Sequence, residues 1–248
     1  LSNRNIIING AMQVAQRGTS AAVSGYGTID RWLMPTGGVD EEPTQAQVDV
    51  ASGTTPYTLG FRKAYKITNG NQTSGTAGTD RILVQQRIEA QNLTQSGWNY
   101  TSASSYLALS FWCKSSVAQT FQCRFVTQDG TEQNYAFETG SLSADTWTKV
   151  TKIIPGNANI TLDTNNQEGM KFEIMLYRGT DYTDNSVSHD AWAAYSSATR
   201  GKDNTSTWYT TNDATFELTG VQLEVSDHVT DFEFRSYGQE LALCQRYY

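Results

Sequence analysis

Histidine, cysteine and long apolar runs are scarce in this chain, and each shortage argues against a class of protein. The two histidines, His189 and His228, lie neither beside a cysteine nor in the spacing of a zinc protease, so a zinc site or a histidine-based nucleophilic triad has little material. No stretch approaches the roughly 18 consecutive apolar residues of a membrane helix, and no basic segment followed by an apolar one marks a signal peptide. We therefore predict neither a metal site nor membrane insertion.

The three cysteines, Cys113, Cys123 and Cys244, form an odd set without CxxC spacing. Because Cys113 and Cys123 fall among alternating apolar residues, we expect them to be buried small hydrophobic side chains. A disulfide-stapled scaffold would use more cysteines, which favours folding in a reducing cytoplasm. The chain begins at Leu1 rather than Met, and we expect it to be a piece of a longer protein.

Positive charge is also in deficit, because 18 lysines and arginines stand against 25 acidic residues, a net charge of -7. Binding to a phosphate backbone requires a field of Lys and Arg, so a nucleic-acid partner is not expected. The chain has no GxSxG elbow, Walker loop or complete GxGxxG motif, and no cofactor is predicted. Paired carboxylates that cleave a polysaccharide are harder to exclude, since several aspartates fall between positions 178 and 214. Their ordinary role is in turns, and the prediction is a protein that is not an enzyme.

What the chain does have is alternation of apolar and polar residues. In YLALSFWC every second residue from 107 to 113 is apolar, and in QTFQCRFV the residues Phe121, Cys123 and Phe125 alternate with polar ones. KFEIMLY and FELTGVQLEV continue the pattern, and further strands are predicted around Ile6–Ile8, Arg31–Met34, Val48–Val50, Phe61–Ile67, Arg81–Ile88, Asn134–Phe137 and Trp147–Ile154. The sequence therefore predicts an all-β fold, an antiparallel β-sandwich of the jelly-roll type spanning residues 1–235.

Two local features refine this prediction. The short KSSVA stretch between the strands around 107–113 and 121–125 reads as a hairpin connection. In FELTGVQLEV the apolar phase slips by one residue across Gly220, which is the pattern of a β-bulge at a glycine.

The segment from 178 to 214 breaks the rhythm of short strands. It is longer than the roughly 12–15 residues at which a loop becomes suspect or functional. Its middle, HDAWAAYSS, is compatible with one or two helical turns, and the rest is polar with several Tyr and Trp residues.

In the last residues of the chain, the spacing of apolar side chains changes from that of a strand to that of a helix. Ser236 and Gln239 have the spacing of a capping box, and apolar residues follow at spacings of four, three and four, which predicts a helix over 236–248. We expect this helix to pack on the sandwich or at an oligomer axis through Tyr237, Leu241, Cys244 and Tyr248.

Exposed aromatic residues give the clearest functional signal. Trp and Tyr side chains offer flat faces to sugar rings, and nearby Asn, Asp and Gln can bond hydroxyl groups. The candidate glycan-binding residues are Trp98, Tyr100, Trp192, Tyr195, Trp208 and Tyr209. The alternative is that the same aromatics pack over the sandwich edge or at a subunit contact, where Tyr and Trp are also enriched.

Several fragments together resemble a known family. They are NIIINGAMQVAQRGTS followed by DRW, then VQQRIE, then LALSFWCKSS, and finally FELTGVQLEV and FEFRSYGQELALCQRYY. Along its whole length the chain looks like a module of tailed-phage virion proteins of the fibre type, and its middle is similar, more loosely, to the jelly rolls of carbohydrate-binding modules.

The resemblance implies a β-sandwich displayed on the outside of the virion, homotrimeric and assembled with other virion proteins after folding in the host cytoplasm. Together with the aromatic residues, it predicts a fibre or adhesin that binds a host surface polysaccharide without catalysis, although the resemblance by itself identifies no ligand. A capsid-decorating or head-fibre structural protein is the first alternative, and a polysaccharide-degrading enzyme is the second. No ligand-binding residue follows from the resemblance, because the ligand aromatics of carbohydrate-binding modules vary in position between families. Trp32 and Trp112 lie in the matched fragments, and their strand positions predict structural roles.

Overall fold

The protein is described by a computed structural model that covers residues 4–247 and shows two antiparallel sheets packed face to face. In spatial order, the first sheet contains β1 (Ser20–Ala21), β4 (Thr44–Asp49), β5 (Lys63–Thr68), β13 (Thr215–Val225), β7 (Tyr106–Ser115) and β10 (Thr148–Pro155). The second contains β12 (Trp192–Ala194), β9 (Gln133–Glu138), β8 (Gln122–Thr127), β11 (Glu168–Arg178), β6 (Arg81–Glu89) and β2 (Trp32–Leu33), and β3 (Thr36–Gly37) also pairs with β6. The helices are α1 (Thr55–Thr58), α2 (Ala90–Thr94), α3 (Thr207–Thr210) and α4 (Tyr237–Gln245).

The predicted alternation in the strands builds the core between the sheets. The apolar residues at every second position of β7 and β8 are buried there. Phe172 on β11 stacks on Phe125 of β8 with ring centroids 5.1 Å apart. The ring centroid of Phe111, in the opposite sheet, lies 5.8 Å from that of Phe172. Each such side chain contributes about 1.5–3 kcal/mol by leaving water. The antiparallel sandwich predicted from the sequence is confirmed.

The chain repeatedly crosses from one sheet to the other, which is the connectivity of a jelly roll. It does so between β5 and β6, between β6 and β7, and again between β7 and β8. KSSVA is therefore not a hairpin connection, and that prediction is wrong. A strand with one apolar face shows the same alternation whether its neighbour in sequence pairs with it or packs across the core.

The β-bulge predicted at Gly220 is confirmed. The pairing of β13 with β7 shifts register between Thr219 and Gln222, and Gly220 has φ 62°. A Cβ added there would lie 2.6 Å from the ring of Phe61. The position thus requires glycine both for its backbone conformation and for the close approach of an aromatic ring.

The segment 178–214 is not one continuous loop. Strand β12 pairs with β9 and places Trp192 opposite Tyr135, so the helical turn expected in HDAWAAYSS is wrong. The turn of helix forms later, as α3. A three-residue strand is too short to show alternation, and its pairing with a strand some 60 residues earlier has no local signal.

The N-terminal segment runs along β13 without becoming a regular strand, although Ile6–Ile8 was predicted as one. The amide N–H of Ile6 donates to the carbonyl of Leu223 at 2.8 Å. The Asn5 side chain donates to the carbonyl of Val221 at 3.1 Å and accepts from the amide of Leu223 at 3.0 Å. Asparagine side chains thus replace part of the backbone ladder that a strand would form.

Helix α4 has the capping box predicted from the sequence, since Ser236 and Gln239 each accept a hydrogen bond from the other's backbone N–H. Its buried face differs from the predicted stripe. Cys244 packs on Ile8 and Val14 of the N-terminal segment, with Leu241, Leu243 and Tyr247 at the edges. Tyr237 is 56% exposed, and Tyr248 lies outside the described residues.

We call the N-terminal segment 5–9 together with α4 the terminal clasp. The Glu240 carboxylate accepts the N–H of Asn9 and lies 3.4 Å from Arg235. Cys244 is buried within the protomer, so its predicted role as a subunit contact is wrong, and Leu241 is half-buried on the same protomer. Within residues 4–247, no helix has the length and apolar character needed to cross a membrane.

Candidate functional site

Three of the six aromatic residues predicted to face a glycan lie in the core instead. Trp98 and Trp208 are 3% and 0% exposed, and each indole N–H donates to a backbone carbonyl. Tyr209 stacks on Tyr177 at 4.3 Å and donates its hydroxyl to Asp80 at 3.1 Å. The prediction is wrong for these three, because burying the large apolar body of each ring while its polar handle finds a partner is favourable.

Of the other three, only one lines the cleft described below. Trp192 lies on edge strand β12, where its indole N–H donates to the carbonyl of Pro155 at 2.6 Å and its ring lies 5.2 Å from Tyr135. Tyr100 is half-buried against the core. Tyr195 faces a polar cleft on the outside of the second sheet.

This cleft has a volume of about 430 Å³, within the roughly 300–1,000 Å³ of small-ligand sites. Its floor is the outer face of β6, β11 and β8, where Gln85, Glu173 and Arg124 lie side by side in register. Their neighbours along the strands, such as Val84 and Phe125, point into the core. The second sheet therefore has one face packed on the core and one face toward solvent, and the solvent face carries a row of polar side chains.

A β-bulge adds a second arginine to the floor. Residues five apart on a regular strand face opposite sides of the sheet, so Glu173 and Arg178 would normally be separated. The pairing of β11 with β6 shifts register between Met175 and Tyr177, which sends Tyr177 to the core and Arg178 to the cleft. Arg178 then lies directly opposite Arg81 of β6.

Glu173 is the centre of a buried charge cluster. Nε of Arg124 donates to Oε2 of Glu173, and Nη2 of Arg178 lies 3.5 Å from the same oxygen. Nη1 of Arg124 also donates to Oδ1 of Asn134 at 3.4 Å. Burial alone would raise the pKa of Glu173, but the charges of Arg124 and Arg178 and the hydrogen bond from Arg124 outweigh it and lower the pKa to about 2.

Arg178 has fewer of its hydrogen-bond donors paired than Arg124. Among the residues that the structure describes, its Nε and Nη1 are buried without a hydrogen-bond partner. Burial lowers the pKa of Arg178 to about 9; Glu173 opposes this shift, and the positive charges of Arg124 and Arg200 add to it. The side chain is still protonated at neutral pH and is left with unused donors at the bottom of the cleft.

One wall of the cleft comes from the segment that follows β11. The N–H of Arg200 donates to the carbonyl of Tyr182 at 2.9 Å, and the N–H of Tyr195 donates to the carbonyl of Glu132 at 2.8 Å. These bonds hold the guanidinium carbon of Arg200 4.7 Å from the ring of Tyr182 and 5.7 Å from that of Tyr195. Two tyrosines and a cation thus form one edge of the site.

The lining is strongly positive although the chain as a whole is acidic. Arg87 and Lys171 share the carboxylate of Glu168, at 3.1 and 3.4 Å. Glu173 is the one carboxylate among the lining residues that the structure describes. The cationic side chains of the lining are Arg81, Arg87, Arg124, Lys171, Arg178 and Arg200.

Sequence reasoning missed these cations for a definite reason. Polar residues were predicted to alternate with the apolar ones in these strands, but β6, β8 and β11 are far apart in the chain, and their adjacency is a property of the sandwich. Arg178 also depends on a bulge that no glycine marks. A net charge summed over the whole chain hides a local cluster of the opposite sign.

The cleft offers binding groups and no catalytic pair. A carboxylate held ionised by two arginines is a poor general acid, and glycoside cleavage requires two carboxyl groups across the bond. Within residues 4–247, no group of three His, Cys, Asp or Glu side chains could hold a metal ion.

A second surface lies on the outside of the first sheet. It is an apolar groove of about 390 Å³ lined in part by Phe61, Trp112, Phe232 and Phe234. The ring of Phe61 lies 5.1 Å from that of Phe234, and Phe234 and Leu59 are 46% and 51% exposed. Sequence reasoning did not single out this surface.

Comparison with known proteins gives distant likenesses. No protein-family model and no curated protein matches the chain. The enzymatically active domain of tailspike protein 4 of bacteriophage CBA120 is similar over 90% of this chain and 22% of that one, with 10% identity and a TM-score of 0.46. A putative sugar-binding protein of Bacteroides thetaiotaomicron is similar over 90% and 100% of the two chains, with 13% identity and a TM-score of 0.44.

The C-terminal family 22 carbohydrate-binding module of Clostridium thermocellum Xyn10B is similar over 93% of this chain and 99% of that one, with 8% identity and a TM-score of 0.44. This chain thus spans under a quarter of the tailspike structure but nearly all of the two smaller ones. Likeness at this level does not establish a shared function, so the functional argument depends on the side chains of this chain.

Proposed function

We propose that this protein binds a glycan, without cleaving it, in the cleft on the outer face of the second sheet. The observation that carries the proposal is the combination of Tyr182 and Tyr195 at the rim with a floor of fixed hydrogen-bonding side chains, among them Gln85 and Glu173. Tyrosine rings suit the C–H faces of sugars, and buried amide and charged groups suit their hydroxyls. The site is open at the surface, as a polymer chain requires.

The absence of catalysis is part of the proposal. Glu173 is committed to Arg124 and Arg178, and its lowered pKa keeps it ionised throughout the neutral range. Incubating the pure protein with capsular polysaccharide should leave its viscosity and its number of reducing ends unchanged. A steady fall in viscosity would overturn this part of the proposal.

A glycan array carrying neutral and acidic glycans tests the binding site. Tyr182→Ala and Tyr195→Ala should each lose most of the signal, because each removes one ring from the rim of the cleft. Tyr26→Ala is the matched control, since this tyrosine is 40% exposed and is not part of the cleft lining. Unchanged binding by both rim variants would refute the site.

We further propose that the chain is an adhesin of a tailed-phage fibre, homotrimeric, on the exterior of the virion, folded in the host cytoplasm and joined to other virion proteins. The resemblance of its fragments to fibre-type virion modules supports this role. The exposed apolar groove around Phe61 and Phe234 favours a second candidate, a capsid-decorating or head-fibre protein whose aromatics pack against other subunits. Electron microscopy of labelled particles decides between them, because label on the capsid lattice rather than on the tail would exclude the fibre.

A further inference from the structure

Resting on the proposed function, we propose that the glycan recognised in the cleft is acidic. Its carboxylate or sulfate oxygens accept hydrogen bonds from Arg178 at the floor of the cleft, whose lining also includes Arg81 and Arg200. The shared chemistry is an oxyanion attached to a sugar ring, as in a uronic acid or a sulfate ester.

Arg178 has hydrogen-bond donors that no residue of the described chain uses. Arg178 and Arg124 both use Oε2 of Glu173, so one carboxylate oxygen serves two guanidinium groups. Nε and Nη1 of Arg178 have no partner in residues 4–247, although the residue is only 2% exposed. Buried donors on a charged group are costly when unpaired. An oxyanion that accepts a charge-assisted hydrogen bond from one of these nitrogens removes part of that cost.

Arg178 is surrounded by other positive side chains. Arg81 is its register partner across β6 and β11, and both residues line the cleft. The Arg81 guanidinium lies over Gly37 of β3, on the side of β6 away from β11, where an added Cβ would lie 2.8 Å from its carbon. Burial lowers the pKa of Arg178, and the positive charges of Arg124 and Arg200 act directly on it and lower that pKa further. An anion beside Arg178 and Arg200 converts this repulsion into attraction.

The charge of the cleft is opposite in sign to that of the whole chain. The chain carries a net charge of -7, yet the lining has one carboxylate against six cations. An overall negative charge repels long polyanions such as nucleic acids at distance. A local basic cleft with tyrosines at its rim suits a sugar that carries isolated acidic groups.

Isothermal titration calorimetry of the full chain tests the inference with five probes. They are a galacturonic acid oligosaccharide, its neutral methyl ester, a sulfated carrageenan oligosaccharide, which has no carboxylate, a neutral cello-oligosaccharide and a single-stranded oligonucleotide. At least one acidic glycan should bind about tenfold more tightly than the neutral ones, as expected for charge-assisted hydrogen bonds. The first and third probes distinguish a carboxylate from a sulfate.

Substitutions locate the effect. Arg200→Gln and Arg81→Gln should each weaken the acidic glycan about tenfold and the neutral ones less than twofold. Arg62→Gln, at an exposed arginine that lies over Tyr57 beside the first sheet, is the matched control and should change neither. Arg178→Gln should have the largest effect on the affinity for the acidic glycan. If this buried variant does not fold, the affinities of the Arg81→Gln and Arg200→Gln variants test the proposal, because both residues are half-buried.

The outcomes separate the two proposals. Equal binding of neutral and acidic glycans, or unchanged affinity in Arg200→Gln and Arg81→Gln, would overturn the acidic ligand and leave glycan binding standing. Binding of the oligonucleotide alone, or of none of the probes, would overturn both.

Discussion

At the scale of single residues, the floor of the cleft depends on one carboxylate that neutralises two buried arginines. Glu173 is 3% exposed and contacts both Arg124 and Arg178. Glu173→Gln should lower the free energy of unfolding by about 3–5 kcal/mol, because it leaves two buried cations without a counter-charge. Chemical denaturation measures the change.

Glu168→Gln is the control, since its ion pairs with Arg87 and Lys171 are partly exposed and should each be worth at most about 1 kcal/mol. The pH dependence has a fixed sign. Because the folded protein lowers the pKa of Glu173 from its usual 4.5 to about 2, its contribution is complete above pH 4.5 and is lost as the pH falls towards 2. Equal stability losses in the two variants would contradict a special role for Glu173.

The cysteines give a second prediction at this scale. Cys113, Cys123 and Cys244 are all buried as free thiols, and burial raises the pKa of Cys113 and of Cys244 to about 12. A thiol reagent should label none of them in the folded protein and all of them after denaturation, because the thiolate is the reactive form. Rapid labelling of any one in native conditions would show that its site opens.

The sequence predicted which side chains are buried in regular strands, but not which are buried in irregular segments. It placed Cys113 and Cys123 in the core correctly, because both fall in phase with apolar neighbours. It could not separate Tyr195 at the cleft from Trp208 in the core, because both lie in polar, irregular stretches without periodicity. Burial in such segments is decided by tertiary contacts.

At the scale of elements, contacts around the terminal clasp bring several of the matched sequence fragments together. The guanidinium of Arg31 lies 3.6 Å from the ring centre of Tyr247, and Arg246 pairs with Glu89 at 2.7 Å. The DRW, VQQRIE and C-terminal fragments therefore meet in one place. A nine-residue helix is marginal in water, so these contacts hold it.

The cap of α4 supplies the prediction for this element. Ser236→Ala removes the side chain that accepts the N–H of Gln239 and should cost about 1 kcal/mol in the free energy of unfolding. Ser104→Ala, at an exposed serine in a loop, should stay within about 0.5 kcal/mol of the parent. A cap variant as stable as this control would mean that α4 does not depend on its capping box.

Strands were more predictable than their connections. Alternation located β7, β8, β11 and β13, and a glycine marked the bulge in β13. The bulge in β11, which sends Arg178 to the cleft, carries no such mark. The route of KSSVA across the sandwich also has no local signal, since topology depends on which apolar faces meet.

At the scale of the whole molecule, the proposed trimer requires a surface that the protomer leaves open. Cys244 is covered within the protomer, whereas Tyr237 and the apolar groove around Phe234 remain exposed. Light scattering of the purified chain should give three times the protomer mass of 27.4 kDa. A monomer over a wide concentration range would contradict a trimer formed by this chain alone.

The central claim is that the outer face of the second sheet, and not that of the first, binds a glycan. Amide chemical shifts of the isotope-labelled protein, recorded while a glycan bound on the array is added, test it most directly. The predicted result is a set of shifted amides on β6, β8 and β11 and around Tyr182, Tyr195 and Arg200. Shifts confined to the groove around Phe61, Trp112 and Phe234 would contradict it.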